Sequence, residues 1–371
     1  MYFCLSAAIL KKSEKRRPWD EVSLDIEIEL GMPVVCKVSV ITKVKMVDVC
    51  IPVVDFSPLS LDKDELRFDT DKKIQEVASQ ICEAFSNIGF VYLKNHGISN
   101  EEIAKVREVV DKFFGLPVEE KQKCSRPTDG SGNHGWVALE RESLNPERPA
   151  DLKEAFNVDN IEFKSESEHN SKWPTTTVPE MEYTVKNLYD QCAKLSFRIL
   201  QAIGIALKIK NPNLIAESHS RLGKAGNSTA MRILYYPPIP DSSTLKKDQV
   251  RCGEHSDYGS ITLLFQDDLG GLQVLPVEGE YINAPSIPGC VIVNIGDLMQ
   301  RWTSDKLRST KHRVLIPSDE VVRNKPRRSL AFFVHPDDKV LIECLDGSNK
   351  YPGITGEDYL KERFAATYKS D

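Results

Sequence analysis

Three residues of the chain have the types and the spacing of a metal site. His255 and Asp257 stand two positions apart in the segment EHSDYGSITLL, whose composition favours an extended strand edge. Side chains two positions apart on a strand project to the same side. His312 follows in the segment STKHRVLIP, also at the start of an apolar run of β type. Two imidazoles and one carboxylate can occupy one face of an octahedral ion and leave its other positions open.

This ligand set is typical of non-haem Fe(II) oxygenases, in which the open positions take the co-substrate and O2. An isolated His-x-Asp pair is more often an ordinary surface or core pair, because short motifs also occur by chance. The same ligands suit a zinc hydrolase with an activated water, but the sequence has neither a helical HExxH segment nor an evident general base near them. A non-catalytic module with a vestigial metal site is the third alternative.

A second polar pair follows the third candidate ligand. Arg327 and Ser329, in the segment PRRSLAFFVHP, alternate onto one face of a strand that then becomes apolar. A planar guanidinium can bind a carboxylate through two parallel hydrogen bonds, and the serine adds a hydroxyl. Arg328, between them, is expected on the opposite face and is given no role. The pair is therefore a candidate carboxylate clamp.

The elements that must position these residues are helices in the first half of the chain and short strands after Ala230. Helical spacing runs from Lys72 to Asn87, from Ser99 or Asn100 to about Gly115, and from about Glu180 to Leu207. The runs after Ala230 are short, apolar and separated by turn residues. Residues 125–178 have weak periodicity and are predicted to form a long loop. These patterns predict a mainly β fold with flanking helices and a closed double sheet, of which the jelly roll is one form.

Composition limits the classes of function. The 371 residues carry a formal net charge of −6 without a basic block interleaved with aromatics, so nucleic acid is not an expected partner. The nine cysteines form no CxxC pair, which favours reduced thiols in a cytoplasmic setting. No stretch reaches the roughly 20 apolar residues that a membrane span needs. The expected partner is a small-molecule substrate, and the composition gives no indication of the oligomeric state.

Six segments, in a fixed order, make the sequence similar to the isopenicillin N synthase-like branch of the 2-oxoglutarate and Fe(II)-dependent dioxygenases. They are IPVVDF at 51, GFVYLKNHGI at 89, RILYYPP at 232, HSDYGSITLL at 255, NIGDLMQRWTSDKLRSTKHRV at 294 and RRSLAFFVHP at 327. The resemblance covers about residues 50–368 and implies the distorted double-stranded β-helix, a jelly-roll core with helices outside. In the family's Asn-Tyr-Tyr-Pro run, Leu234 replaces the asparagine, and the segment between His312 and Arg327 is longer than usual.

The resemblance also implies a role for each candidate residue. The implied iron ligands are His255, Asp257 and His312, and the implied contacts of the distal carboxylate of 2-oxoglutarate are Arg327, Ser329 and the hydroxyl of Tyr236. A buried tyrosine bonded to the backbone is the other interpretation of Tyr236. The implied activity couples oxidative decarboxylation of 2-oxoglutarate by O2 to hydroxylation, desaturation or cyclisation of a small organic substrate, with ascorbate as a candidate reductant. An oxidase of the same fold that does not use 2-oxoglutarate is the nearest alternative.

The motifs divide the chain into three parts. Residues 1–45 are an extension of unclear role, in which the alternation of Val38, Val40, Val44 and Met46 is compatible with a strand. Residues 46–170 form the N-terminal helical and β region. Residues 171–371 contain the long helix, the jelly-roll core at about 225–340, and a C-terminal helix.

Two further segments are candidates for the substrate pocket. The C-terminal GEDYLKERFAATY has Tyr359, Leu360 and Phe364 at helical spacing, so it either closes over the site as a lid or caps the barrel. In the long loop, His134 and Phe156 are candidates for the pocket wall together with Trp136. Packing within the loop is the other interpretation of these three side chains.

Overall fold

The computed structural model describes residues 50–68, 70–127, 132–143, 148–159, 172–277 and 279–367, together with the backbone of 21–29 and 35–43. The chain divides into the units Met1–Cys50 and Ile51–Asp371. In the first unit, strands β1 (Glu21–Glu29) and β2 (Val35–Lys43) pair antiparallel. The strand β2 contains two residues of the predicted alternation, whereas Val44 and Met46 lie outside the described residues. The boundaries expected near residues 45 and 170 also lie outside them.

The helices of the second unit follow the predicted bounds closely. The longer ones are α1 (Lys72–Asn87), α2 (Asn100–Phe114) and, after the short α3 (Val118–Gln122), the 28-residue α4 (Glu180–Leu207). The carboxylate of Asp71 accepts a hydrogen bond from the amide of Lys73 at 2.8 Å at the start of α1. A reciprocal capping box of Ser99 and Glu102 begins α2. Such caps contribute about 1 kcal/mol each, so the ends of these helices are set locally.

The strands of the second unit form two sheets. In chain order they are β3 (Val53–Asp55), β4 (Phe90–Lys94), β5 (Gly135–Val137), β6 (Glu154–Val158), β7 (Ala230–Tyr236), β8 (Cys252–His255), β9 (Ile261–Gln266), β10 (Leu272–Val274), β11 (Ile282–Asn283), β12 (Cys290–Ile295), β13 (His312–Val314) and β14 (Arg327–Val334), followed by the small pair β15 (Leu341–Ile342) and β16 (Ile354–Thr355). The main sheet has the order β3-β4-β12-β9-β14-β7-β6-β5, and the smaller sheet has the order β11-β10-β13-β8. Among the described strands of the main sheet, only β3 and β4 pair in parallel. This architecture agrees with the predicted jelly roll.

Alternate residues of the main sheet contact two different apolar clusters. Leu330 and Phe332 of β14 belong to the cluster that includes the buried faces of α1, α2 and α4. Ala331, between them, belongs to a second cluster that joins the main sheet to residues of the smaller sheet such as Leu272 and Val314. The period of two therefore separates a helix-packed outer face from an inner face. Side chains of functional interest on β14 lie on the inner face, two residues apart.

The prediction of a long loop at 125–178 was wrong for two segments. β5 and β6 extend the main sheet beyond β7, with Phe156 opposite Ile233 and Trp136 opposite Phe156. All five residues of β6 are buried, so the strand lacks the alternation of exposed and buried residues that marks a strand with one solvent-facing side. It is held in the sheet by its pairing with β7. His134 and Phe156 pack against Trp173, with ring centroids 4.9 and 5.2 Å away. These contacts agree with the packing interpretation of the aromatic residues.

Short helices complete the second unit. They are α5 (Leu214–Glu217), α6 (Asp297–Trp302), α7 (Glu320–Arg323) and α8 (Gly356–Thr367). The extra segment between the third candidate ligand and β14 contains α7, whose amide at Val322 donates to the carboxylate of Asp319. In the part of the chain that the structure describes, no helix combines the length and the apolar character needed to cross a bilayer.

Candidate metal centre

Two neighbouring strands of the smaller sheet bring the candidate ligands together. β8 ends at His255, β13 begins at His312, and these two residues are opposite each other in the antiparallel register. Asp257 follows β8 by two residues, and its carbonyl oxygen accepts a hydrogen bond from the amide of Asp297 at 2.7 Å. The first turn of α6 therefore holds the backbone that carries the carboxylate.

The three side chains converge on one point. The Oδ1 atom of Asp257 lies 3.9 Å from Nε2 of His255 and 3.8 Å from Nε2 of His312. One potential ligand atom from each residue lies within 4.8 Å of the others. Because two atoms that are each about 2.2 Å from one ion can be up to about 4.4 Å apart, Asp257 and either histidine can share an ion. The set is mostly buried, as a site that excludes bulk water requires.

Both imidazoles have their Nε2 atoms turned toward the carboxylate by a hydrogen bond at the other nitrogen. Nδ1 of His255 lies 2.8 Å from the carbonyl oxygen of Gly253, and Nδ1 of His312 lies 3.1 Å from that of Thr310. A carbonyl oxygen only accepts, so each Nδ1 carries the proton and each Nε2 presents a lone pair. Burial, followed by the proximity of His312, lowers the pKa of His255 and keeps that ring neutral at physiological pH.

The second oxygen of Asp257 is fixed by a cross-strand pair. Its Oδ2 accepts hydrogen bonds from Oγ1 of Thr262 and Nδ2 of Asn294, each at 2.7 Å. Thr262 of β9 and Asn294 of β12 are direct partners in the main sheet. Burial raises the pKa of Asp257, but the two histidines and these hydrogen bonds outweigh it and hold the pKa below the ordinary value. Neither donor was predicted from the sequence, although Asn294 opens one of the quoted motifs.

Close backbone approach explains two glycines of these motifs. A Cβ atom at Gly259 would lie 2.3 Å from the carbonyl oxygen of Val334, and one at Gly296 would lie 2.3 Å from that of Gly259. A side chain at either position would push β14 or the start of α6 away from the loop that carries Asp257. These glycines are thus required by packing at the centre.

The candidate clamp residues also meet on the inner face. Arg327 is opposite Tyr236 in the pairing of β14 with β7, and both side chains are buried together with Ser329. Nη1 of Arg327 lies 3.4 Å from Oγ of Ser329, and its guanidinium carbon lies 4.8 Å from the centre of the Tyr236 ring. Burial raises the pKa of Tyr236, so its hydroxyl keeps its proton and can donate. Arg328 turns to the other face and pairs with Asp111, as its position predicts.

A jelly roll with helices outside it, and with two histidines and one aspartate converging at its strand ends, defines the class of mononuclear non-haem oxygenases. The chain belongs to the 2OG-Fe(II) oxygenase superfamily, whose family model matches residues 227–336. A second family model, described as the N-terminal region of the non-haem dioxygenase in morphine synthesis, matches residues 51–176. Both matches lie within the second unit, on either side of the segment that contains α4 and α5.

Individual relatives agree with this assignment. The chain is 31% identical to the 2-oxoglutarate-Fe(II) type oxidoreductase ppzD of Metarhizium rileyi, over 79% of this chain and 86% of that protein. It is 37% identical to the UPF0676 protein C1494.01 of Schizosaccharomyces pombe, over 79% of this chain and 88% of that protein. Among solved structures, a full-length Neurospora crassa protein in complex with alpha-KG and thymine matches with a TM-score of 0.72 and 34% identity, over 86% of this chain and 97% of that chain.

These comparisons confirm the predicted fold class, the oxidoreductase activity and the use of Fe(II), 2-oxoglutarate and O2. The protein is a 2-oxoglutarate-dependent Fe(II) dioxygenase, with O2 as the second co-substrate. The interpretation as a zinc hydrolase and the interpretation as a non-catalytic module are not supported by these relatives.

Proposed function

We propose that His255, Asp257 and His312 are the iron ligands of this dioxygenase. The observation that carries the proposal is the convergence of one ligand atom from each of these three residues within 4.8 Å of one another. Their donor chemistry fits Fe(II), because two imidazoles and one carboxylate on one face leave positions open for co-substrate and O2. A bound Fe(II) ion supplies the redox chemistry that couples decarboxylation of 2-oxoglutarate to oxidation of the substrate.

The protein's own residues hold this geometry. Thr262 and Asn294 hold Oδ2 of Asp257 by hydrogen bonds, which restricts rotation of the carboxylate and keeps Oδ1 facing the imidazoles. The carbonyl groups of Gly253 and Thr310 keep the histidines in the tautomer that can ligate a cation. The preorganised set gives up little side-chain entropy when a metal binds.

Arg327, Ser329 and Tyr236 bind the distal carboxylate of 2-oxoglutarate in this proposal. The guanidinium is anchored from behind, because Nε donates to the carbonyl of Gly270 at 2.7 Å and Nη2 donates to Oε1 of Gln266 at 3.1 Å. Its remaining N–H groups are available for charge-assisted hydrogen bonds, which are stronger than those between neutral groups. The phenol and the serine hydroxyl supply two further donors on the same face.

The substrate is proposed to be a small organic molecule that is hydroxylated, desaturated or cyclised. The inner face between the sheets is lined by apolar residues such as Phe90, Leu234 and Ala331, which exclude water from the reacting atoms. Thymine, which is present in the solved complex of the Neurospora relative, is a reasonable first member of a substrate screen. The free thiols of the described cysteines support the proposed cytoplasmic setting.

Anaerobic reconstitution tests the proposal. The purified protein is stripped of metal, and Fe(II) and then 2-oxoglutarate are added while the visible spectrum is recorded. We expect a metal-to-ligand charge-transfer band that requires both additions and that does not form when Zn(II) replaces Fe(II). Fe(II) binding without a band would overturn the proposed clamp, and failure to bind Fe(II) would overturn the ligand assignment.

Stoichiometry separates the dioxygenase from an oxidase of the same fold. Under air, with a substrate from the screen, succinate is expected to form in proportion to oxidised product. Product formation without succinate would identify the oxidase, which takes its electrons from the substrate itself.

A further inference from the structure

A second buried arginine lies beside the proposed clamp. Arg251, immediately before β8, is 0% exposed, and Arg327 is 1% exposed. Both guanidinium carbons lie over the ring of Tyr236, at 6.0 Å for Arg251 and 4.8 Å for Arg327. The sequence motifs single out Arg327 and pass over Arg251.

The two guanidinium groups differ in their hydrogen bonds. Arg327 donates through Nε to the carbonyl of Gly270 and through Nη2 to Gln266. Arg251 makes one long contact, from Nη2 to the carbonyl oxygen of Lys325 at 3.4 Å. Its Nε and Nη1 atoms are buried and have no hydrogen-bond partner among the described residues. A guanidinium carries five N–H donors, so most of the donor capacity of Arg251 is unused by the protein.

The charges are also unmatched. Within the described part of the chain, neither guanidinium forms an ion pair with a carboxylate. Asp267, the acidic residue whose field acts on Arg251, uses its two oxygens to accept hydrogen bonds from the backbone amides of Leu269 and Arg328. Burial, followed by the charge of Arg327, lowers the pKa of Arg251 to about 10, so this guanidinium remains cationic at neutral pH.

Lys153, a third buried cationic residue, is paired with a carboxylate. Nζ of Lys153 lies 2.5 Å from Oδ2 of Asp151 and contacts Sγ of Cys252 at 3.7 Å. The lysine therefore has its own counter-ion, whereas the two arginines share none. Two unpaired cations in a low-dielectric interior are unfavourable unless an anion joins them. The pair of arginines is complementary to a carboxylate that accepts from both.

We propose that Arg251 is a second carboxylate-binding residue, which forms with Arg327 a two-arginine site for the distal carboxylate of 2-oxoglutarate. The inference rests on the proposed role of Arg327. Each carboxylate oxygen has two lone pairs, so one carboxylate can accept from both guanidinium groups and from the hydroxyl of Tyr236. Such a site selects a 2-oxo acid with a second carboxylate over a 2-oxo acid with a methyl group in its place.

A stability measurement distinguishes this role from a structural one. A buried arginine that holds the fold lowers the unfolding midpoint when it is replaced. An arginine that serves ligand binding has unpaired donors and is repelled by the neighbouring positive charge when the ligand is absent. Its replacement by an apolar residue of similar length therefore leaves the stability of the free protein unchanged or raises it. Arg251→Met is therefore expected to unfold at the same temperature as the parent protein, or higher, when 2-oxoglutarate is absent.

The decisive experiment is calorimetric titration of the protein loaded with Mn(II), which binds the same ligands without turnover. The ligands are 2-oxoglutarate and 2-oxopentanoate, which has a methyl group where 2-oxoglutarate has the distal carboxylate. Arg251→Met is expected to weaken 2-oxoglutarate binding by about tenfold to a hundredfold, the effect of losing charge-assisted hydrogen bonds. Binding of 2-oxopentanoate should not change. Arg251→Gln is measured in parallel, and Arg67→Met, at an exposed position, is the matched control.

Each contrary result overturns a specific claim. An unchanged affinity for 2-oxoglutarate, an equal loss for both ligands, or a failure of both Arg251 variants to fold would show that Arg251 is structural. Arg327→Met separates the two proposals: if it also leaves 2-oxoglutarate binding unchanged, the proposed function fails as well. If only the Arg251 variants behave like the control, the two-arginine site is wrong and the Arg327 clamp stands.

Discussion

Arg363 in the C-terminal helix α8 forms an ion pair with Asp297, with Nη2 and Oδ2 separated by 2.9 Å. The same carboxylate accepts hydrogen bonds from Oγ of Ser309 at 2.6 Å and from Oγ of Ser256 at 3.1 Å. Ser256 lies between two of the proposed ligands, so one carboxylate links α8 to the proposed metal centre. The guanidinium of Arg363 also lies over the ring of Tyr258, 4.9 Å from its centre. These contacts favour the interpretation of α8 as a cap on the barrel.

Loss of this ion pair should loosen α8 without unfolding the domain. A partly exposed pair contributes at most about 1 kcal/mol, which corresponds to roughly a fivefold change in local opening. We expect Arg363→Gln to increase amide hydrogen exchange in residues 356–366 by about that factor at an unchanged global unfolding midpoint. Lys361→Gln removes the same charge from the exposed pair with Glu357 and serves as the control. Equal exchange in the two variants would contradict the anchoring role of Arg363.

Removal of the proposed carboxylate ligand should abolish the metal site. Asp257→Ala is expected to weaken Fe(II) binding on the order of a hundredfold or more and to stop iron-dependent turnover, because one of the three proposed ligands and its negative charge are lost. The fold should persist, since Asp257 lies in a loop and outside both apolar clusters. Titration of Fe(II) under argon measures the affinity, and circular dichroism checks the fold. Asp190→Ala, at an exposed position of α4, is the charge-matched control; retained iron binding in Asp257→Ala would refute the assignment.

The hydrogen bond from Thr262 to Asp257 should tune metal affinity without being essential. Thr262→Val keeps the shape of the side chain and removes one of the two donors to Oδ2, so the carboxylate is held less firmly. We predict that Fe(II) affinity falls on the order of tenfold while the requirement for 2-oxoglutarate changes little. Thr184→Val is the control, because Thr184 is buried in α4 and its hydroxyl has no partner among the described residues. Similar iron affinities in the two variants would show that Thr262 does not orient the ligand.

Replacement of Arg327 by lysine should raise the requirement for 2-oxoglutarate more than the requirement for iron. Arg327→Lys keeps the positive charge but loses the planar pair of donors and the anchors at Gly270 and Gln266. The 2-oxoglutarate concentration needed for half-maximal turnover is expected to rise about tenfold to a hundredfold, with the iron requirement nearly unchanged. Arg328→Lys, on the opposite face of the same strand, should leave both requirements unaltered. A parallel rise in both requirements for Arg327→Lys would count against the clamp.

The sequence by itself determined the chemistry and the local elements. The two-residue spacing predicted that His255 and Asp257 project to one side, and that Arg327 and Ser329 share a face while Arg328 does not. The bounds of α1, α2 and α4 also followed from periodicity and capping residues. These properties are local, because a helix or a strand orients neighbouring side chains without reference to the rest of the chain.

Only the tertiary structure decided which distant residues support those side chains. The hydrogen bonds of Thr262 and Asn294 to Asp257 depend on the register of β9 against β12, and β6 forms because β7 pairs with it. The burial of Arg251 beside Arg327 likewise requires residues more than 70 positions apart to meet over Tyr236. Pairing register and burial are set by the whole packed core, so no local pattern in the sequence carries them.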